Sequence, residues 1–174
     1  ATIVSSLAQW LPRFESALAA LSVAQPQPIH GMLQARLGGA LNAVGEFERA
    51  RGLLQEATAA LDVPENKDEC AYARLLFGNG WLAQGKLDQA ESAFLLAIDT
   101  PDSYAAGAAL ANLALVDQRQ GRYEQALVRY QERLRRARAD GDVRNQAISR
   151  LNEATLHYAL SRFEETETAL REAE

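Results

Sequence analysis

The chain has two imidazoles, His30 and His157, and one thiol, Cys70. They stand far apart, and no grouping of His, Cys, Asp or Glu has metal-ligand spacing. Cys70 lies beside Glu69 with no base in the sequence to activate it. No Gly-x-Ser-x-Gly elbow or phosphate-loop pattern occurs. Gly38-Gly39 and Gly78-Asn79-Gly80 fall inside helix-compatible runs, where they permit close packing rather than cradle a phosphate. Catalysis is therefore not expected, and no catalytic residue, metal ligand or cofactor is assigned. The one basic concentration is Arg129, Arg133, Arg135, Arg136 and Arg138. Arg129, Arg133 and Arg136 share a helical face. With Glu132 and Asp140 interleaved, that face is expected to be solvated rather than to hold nucleic acid.

The elements around these residues repeat. Gly45-Glu46-Phe47-Glu48-Arg49-Ala50 returns as Gly85-Lys86-Leu87-Asp88-Gln89-Ala90 and as Gly121-Arg122-Tyr123-Glu124-Gln125-Ala126. A degraded copy follows, Ser161-Arg162-Phe163-Glu164-Glu165-Thr166, the intervals being 40, 36 and 40 residues. Apolar residues at helical spacing precede each turn: Leu33, Leu37 and Leu41, then Phe77 and Trp81, then Leu110, Leu113 and Val116. A second helix follows each turn. The glycine suits a helix end that needs a left-handed residue. The alanine one turn later marks where two helices cross. Pro26-Gln27-Pro28, Pro64, Pro101 and Asp140-Gly141-Asp142 are stop or restart signals between units. Pro12-Arg13-Phe14-Glu15-Ser16-Ala17-Leu18 matches the start of a second helix, so Thr2–Leu21 reads as a shortened leading hairpin.

Repetition at this period is the mark of stacked supersecondary units, none of which buries its apolar face alone. Composition agrees. Of the 174 residues 48% are hydrophobic and 24% charged, with many alanines and few aromatics, which favours close-packed helices in a folded chain. A formal charge of −5 argues against general nucleic-acid binding. The single cysteine allows no intramolecular disulfide and suits a reducing, cytoplasmic setting. No apolar run approaches a membrane span, and the N-terminus Ala1-Thr2-Ile3-Val4-Ser5 lacks the charged start of a secretory signal. The C-terminus stops inside a good helical pattern, as in a piece of a longer protein.

Small residues in the first helix, the Gly-x-aromatic turn, alanine one turn on and a late proline together resemble the tetratricopeptide repeat. The 40-residue intervals resemble the longer-helix variants of kinesin light chain and MalT-type regulators. The resemblance implies an all-α, right-handed superhelix (an α-solenoid) of about five antiparallel hairpins. It would be one domain over 1–174, with units near 1–25, 28–64, 66–101, 103–140 and 142–174. It also implies a concave groove lined by first helices, for a peptide or helix of another protein. Placed on that pattern, the groove residues are Arg36, Asn42, Tyr72, Asn79, Leu82, Asn112, Gln118, Arg119, Asn152 and Tyr158, with Met32 and several leucines beside them. Asn and Gln amides suit a peptide backbone, while Leu and Tyr offer apolar sockets. The lysine and asparagine clamp by which some members hold a terminal carboxylate is missing, the only lysines being Lys67 and Lys86.

Asp117, Arg150, Glu153 and His157, with Arg74, stand where the family places apolar residues. Asp117 and Arg150, from adjacent units, are read as facing each other, in a polar network that fixes stacking or in a pocket for a small effector. The second use would make the chain the sensing module of a larger transcriptional or signalling regulator. In the last unit Ser161, Thr166 and Glu153 replace the usual Gly, Ala and Leu. Terminal repeats are often atypical, and an apolar end face there could drive homodimerisation.

Overall fold

The structure, a computed structural model, describes residues 3–21, 28–100 and 104–173. The expected signals at Pro26-Gln27 and Pro101, and the residues Ala1-Thr2, lie outside the described residues. The described residues form α-helices with no strand among them: α1 (Ile3–Leu21), α2 (Pro28–Val44), α3 (Phe47–Leu61), α4 (Lys67–Ala83), α5 (Leu87–Ala97), α6 (Tyr104–Arg119), α7 (Tyr123–Ala139), α8 (Val143–Ala159) and α9 (Phe163–Arg171). A single 3₁₀ turn, Pro64–Asn66, precedes α4. Two compact units can be described, Ala1–Ala106 and Gly107–Glu174.

Five of the helix ends among the described residues are closed the same way. Glycines 45, 85, 121 and 141 have φ between +67° and +86°, and Ser161 takes +59°. The next residue donates its backbone N–H to a carbonyl five residues back. The pairs are Glu46 to Leu41, Lys86 to Trp81, Arg122 to Asp117, Asp142 to Ala137 and Arg162 to His157, at 2.8–3.0 Å. This is the bonding that closes a helix end through one left-handed residue, and it satisfies carbonyls that the helix leaves open. Serine fills the last such position without glycine's freedom, the same degradation seen in the sequence.

In the first unit α2 packs on α3, α4 on α5, and α4 on both α2 and α3. A Cβ on Gly38 would lie 2.6 Å from Leu54 Cγ, and one on Gly78 only 2.4 Å from Phe94 Cε1. Glycine is what lets the fully buried Leu54 and Phe94 lie against the facing backbone at each crossing. Ala35, Leu37, Leu41, Ala57 and Leu61 fill the core between, and Cys70 and Ala73 of α4 close it. α1 joins the same core through Leu11, Phe14 and Leu18. The leading segment is thus one helix rather than a short hairpin, with Pro12 inside it. Proline removes one internal hydrogen bond, and Leu11, Phe14 and Leu18 hold the helix against the core across the gap.

In the second unit α7 packs on α8 and α8 on α9. Ala114, Ala126, Leu127 and Tyr130 form its core, with Leu156 and Leu160 against them. α3 has 15 residues and α5 has 11, a difference of four that matches the shorter interval between the second and third glycine turns.

Candidate functional site

Of the residues expected to line a groove, the structure brings Arg36 and Tyr72 together. The Arg36 guanidinium lies 5.1 Å from the centre of the Tyr72 ring, from α2 to α4. A recess of about 280 Å³ opens there, lined also by Met32, Ala35, Asp68 and Glu69. Its chemistry is mixed: a stacked cation, an aromatic face, one flexible apolar wall and two carboxylates at the start of α4. Asn42, by contrast, is turned to packing. Its Nδ2 donates to the Leu76 carbonyl at 2.9 Å, and its amide sits so close to Gly80 that a Cβ there would lie 2.6 Å away. Asn79 and Leu82 are half-buried on α4.

In the second unit, Asn112 and Asn152 are half-buried and Arg119 is exposed. Gln118 accepts a long hydrogen bond from the Tyr130 hydroxyl, 3.4 Å, which ties it to α7. Burial raises the pKa of that phenol. Tyr158 is exposed and stacks edge-on with Phe163 at 6.0 Å.

The polar residues regroup relative to expectation. Asp117 is fully buried, and its carboxylate closes on two arginines. Arg122 Nη2 lies 2.6 Å from Oδ1 and Arg129 Nε lies 2.5 Å from Oδ2. Arg150 instead pairs with Glu153 at 2.8 Å and with Glu172. The reason is local. Arg122 follows the glycine turn five residues after Asp117, and Arg129 comes back two turns along α7, so one hairpin supplies the whole charge cluster. Glu153 Oε1, Arg150 Nε and His157 Nδ1 are buried without a hydrogen-bond partner among the described residues.

The arginine face of α7 is also corrected. Arg133 is buried, with Nη1 donating to Ser149 Oγ at 2.8 Å and Nη2 to Asn145 Oδ1 at 2.5 Å. Arg136 bonds Glu132 at 2.8 Å. Arg129, Arg133 and Arg136 therefore face protein, and Arg135 and Arg138 are the exposed members. The acidic neighbours Glu132 and Asp140 pointed to a solvated face; nothing in the sequence marked Asp117, Asn145 and Ser149 as the partners.

Sequence reasoning also passed over Trp81, taken as packing. Its ring is one border of a second recess, of about 530 Å³, between α3 and α5. Cys70 is buried, with Sγ 3.8 Å from the Thr58 carbonyl, and burial raises its thiol pKa. Among the described residues no three His, Cys, Asp or Glu side chains are placed to hold a metal ion. No helix among them is long and apolar enough to cross a membrane.

No protein-family model matches the chain, and no curated protein matches it. Solved structures do. The crystal structure of BtubC (BKLC) from P. vanneervenii aligns with a TM-score of 0.82 at 19% identity, over 99% of this chain and 73% of that one. Aspartyl phosphate phosphatase F from Bacillus subtilis aligns at 0.82 and 12% identity, over 97% of this chain and 48% of that one. The present chain thus spans about half the length of that protein. MamA aligns at 0.69 and 17% identity, over 99% and 93% of the two chains. These likenesses show the fold alone: an all-α helical repeat of the tetratricopeptide type.

Proposed function

We propose that this chain is a non-catalytic scaffold that binds a peptide or helix of another protein on the face made by its first helices. The observation that carries the reading is the Arg36–Tyr72 stack over the recess between α2 and α4. A guanidinium held over a ring is pre-oriented, so it loses little freedom on meeting a carboxylate or carbonyl. Met32 supplies an adaptable apolar contact beside it. The reading needs no cofactor and assumes a cytoplasmic setting, and the 40-residue intervals resemble the longer-helix repeats of MalT-type regulators and kinesin light chain.

A peptide-display selection against the whole chain tests it. Recovered peptides should lose at least tenfold in affinity with Arg36→Ala and with Tyr72→Ala, while the melting temperature stays within about 2 °C. Peptides that bind the double variant as well as the wild type would refute the assignment of this face.

A second reading, the sensing module of a larger regulator, is favoured by the buried polar atoms of Glu153, Arg150 and His157 that lack partners. Such atoms are costly unless a water or a polar ligand meets them. A metabolite panel that raises the melting temperature of wild type but not of Glu153→Gln would favour this reading over the scaffold.

A further inference from the structure

α4 has two working sides. Tyr72 and Trp81 are nine residues apart, which places them about 180° apart around a helix with 3.6 residues per turn. Tyr72 borders the first recess and Trp81 the second. The second recess has α3 and α5 as walls and α4 as floor. Arg74, Phe77 and Trp81, at i, i+3 and i+7, run along that floor.

The recess is unlike a gap left by loose packing. Phe77 and Trp81 meet edge to face at 5.7 Å, giving it an ordered aromatic base. One end is closed by Arg74, which donates to Asp62 Oδ1 at 2.9 Å and to the Leu96 carbonyl at 3.3 Å. The same position is Gln34 in the first full unit, Leu110 in the third and Arg150 in the fourth, so a polar side chain there is the usual choice in this chain. Outside its lining, two cations lie over the Trp81 ring, Lys86 at 4.9 Å and Arg51 at 5.3 Å from its centre. Arg51 is already paired with Glu48. No ion pair engages Lys86 among the described residues. Half of Leu96 is exposed at the rim, and the amides of Gln55 and Gln89 line the two walls.

From Arg74 to Trp81 is two helical turns, about 10 Å, the length of three extended residues. We infer that this recess binds a short extended segment of a partner protein, an apolar or aromatic residue followed by an acidic one. The apolar side chain rests on Phe77, Trp81 and Leu96. The amides of Gln55 and Gln89 meet the segment's backbone, and the carboxylate meets Lys86. A volume of about 530 Å³ holds such a segment. This surface is separate from the Arg36–Tyr72 face and would make the chain a two-sided adaptor.

Trp81 is its own reporter. In a Trp10→Phe chain it is the sole tryptophan. The probe is the capped pentapeptide acetyl-Ser-Phe-Ser-Glu-Ser-amide, with counterparts carrying alanine for phenylalanine or lysine for glutamate. The parent peptide should give a saturable change in Trp81 fluorescence, and each counterpart should bind at least tenfold more weakly. Lys86→Glu and Leu96→Asp, both at exposed positions, should weaken binding at least tenfold with an unchanged melting curve. Arg36→Ala should leave it within twofold. No saturable change, equal binding of the lysine peptide, or a loss with Arg36→Ala but not with Leu96→Asp would each overturn the proposal. The last outcome would move the peptide to the first face and leave the scaffold reading standing.

Discussion

Arg129 reaches back twelve residues to place its Nε 2.5 Å from Oδ2 of Asp117, a carboxylate with no solvent exposure. Arg122 takes the other oxygen, so one buried anion is held by two cations from the same hairpin. Removing the anion takes away the carboxylate that both guanidiniums share and opens a space in the core. Asp117→Ala should cost about 3–5 kcal/mol in urea unfolding. Arg122 is a third exposed and Arg129 remains in place without it, so Arg122→Ala should cost about 1 kcal/mol. Equal losses from the two variants would show that the cluster does not centre on Asp117.

Gly78 and Gly52 should respond to alanine with opposite signs. A Cβ on Gly78 meets the ring of Phe94, which is fully buried, so Gly78→Ala should lower stability by about 1–3 kcal/mol. Adding Phe94→Leu to that variant should recover part of the loss. Gly52 lies exposed in the middle of α3 with nothing within 4 Å of its Cβ position. Gly52→Ala should raise stability by about 0.5–1 kcal/mol through helix propensity. Chemical denaturation of the three variants decides it, and a destabilised Gly52→Ala would contradict the geometry.

Arg135 and Arg136 bond the Glu132 carboxylate and hold its pKa down to about 2, from 4.5. A folded-state value below the unfolded one stabilises the fold above pH 4.5, and the contribution fades as pH falls toward 2. The pairs are partly open to solvent, so the contribution is about 1 kcal/mol. Glu132→Gln should therefore cost that much at pH 6, with the gap to wild type narrowing as the pH is lowered to about 3. Denaturant titrations at both values check it, and a constant gap would mean the carboxylate charge is not what matters.

The fold was legible where backbone demands and side-chain identity coincide. A left-handed residue is needed at each turn, and glycine announces it at 45, 85 and 121. Ser161 was legible too, because the surrounding Arg162-Phe163 copy fixed its place. The first helix was not, since proline usually ends a helix, and only the packing of Leu11, Phe14 and Leu18 shows why Pro12 does not. The candidate site was harder. The resemblance put Arg36 and Tyr72 on the same groove face, but an amide's partner depends on the neighbouring helix. Asn42 thus went to the Leu76 carbonyl, and the α7 arginines went to Asp117, Asn145 and Ser149. Trp81 read as core because a large aromatic near a helix end has no sequence mark that separates packing from a recess border.

The four-residue difference between α3 and α5 bears on how such a chain can diverge. Four residues turn a helix by about 400°, so removing them leaves each later side chain only about 40° from its former direction. Gly38 with Leu54 and Gly78 with Phe94 keep the same crossing, nine residues past each glycine turn, because the missing turn falls after it, at the C-terminal end of α5. Insertions and deletions in second helices should accordingly survive selection in steps of three or four residues. A one- or two-residue indel between the turn and the crossing would swing the crossing residue out of its notch. Length variation among descendants of this sequence should be quantised by the helical turn.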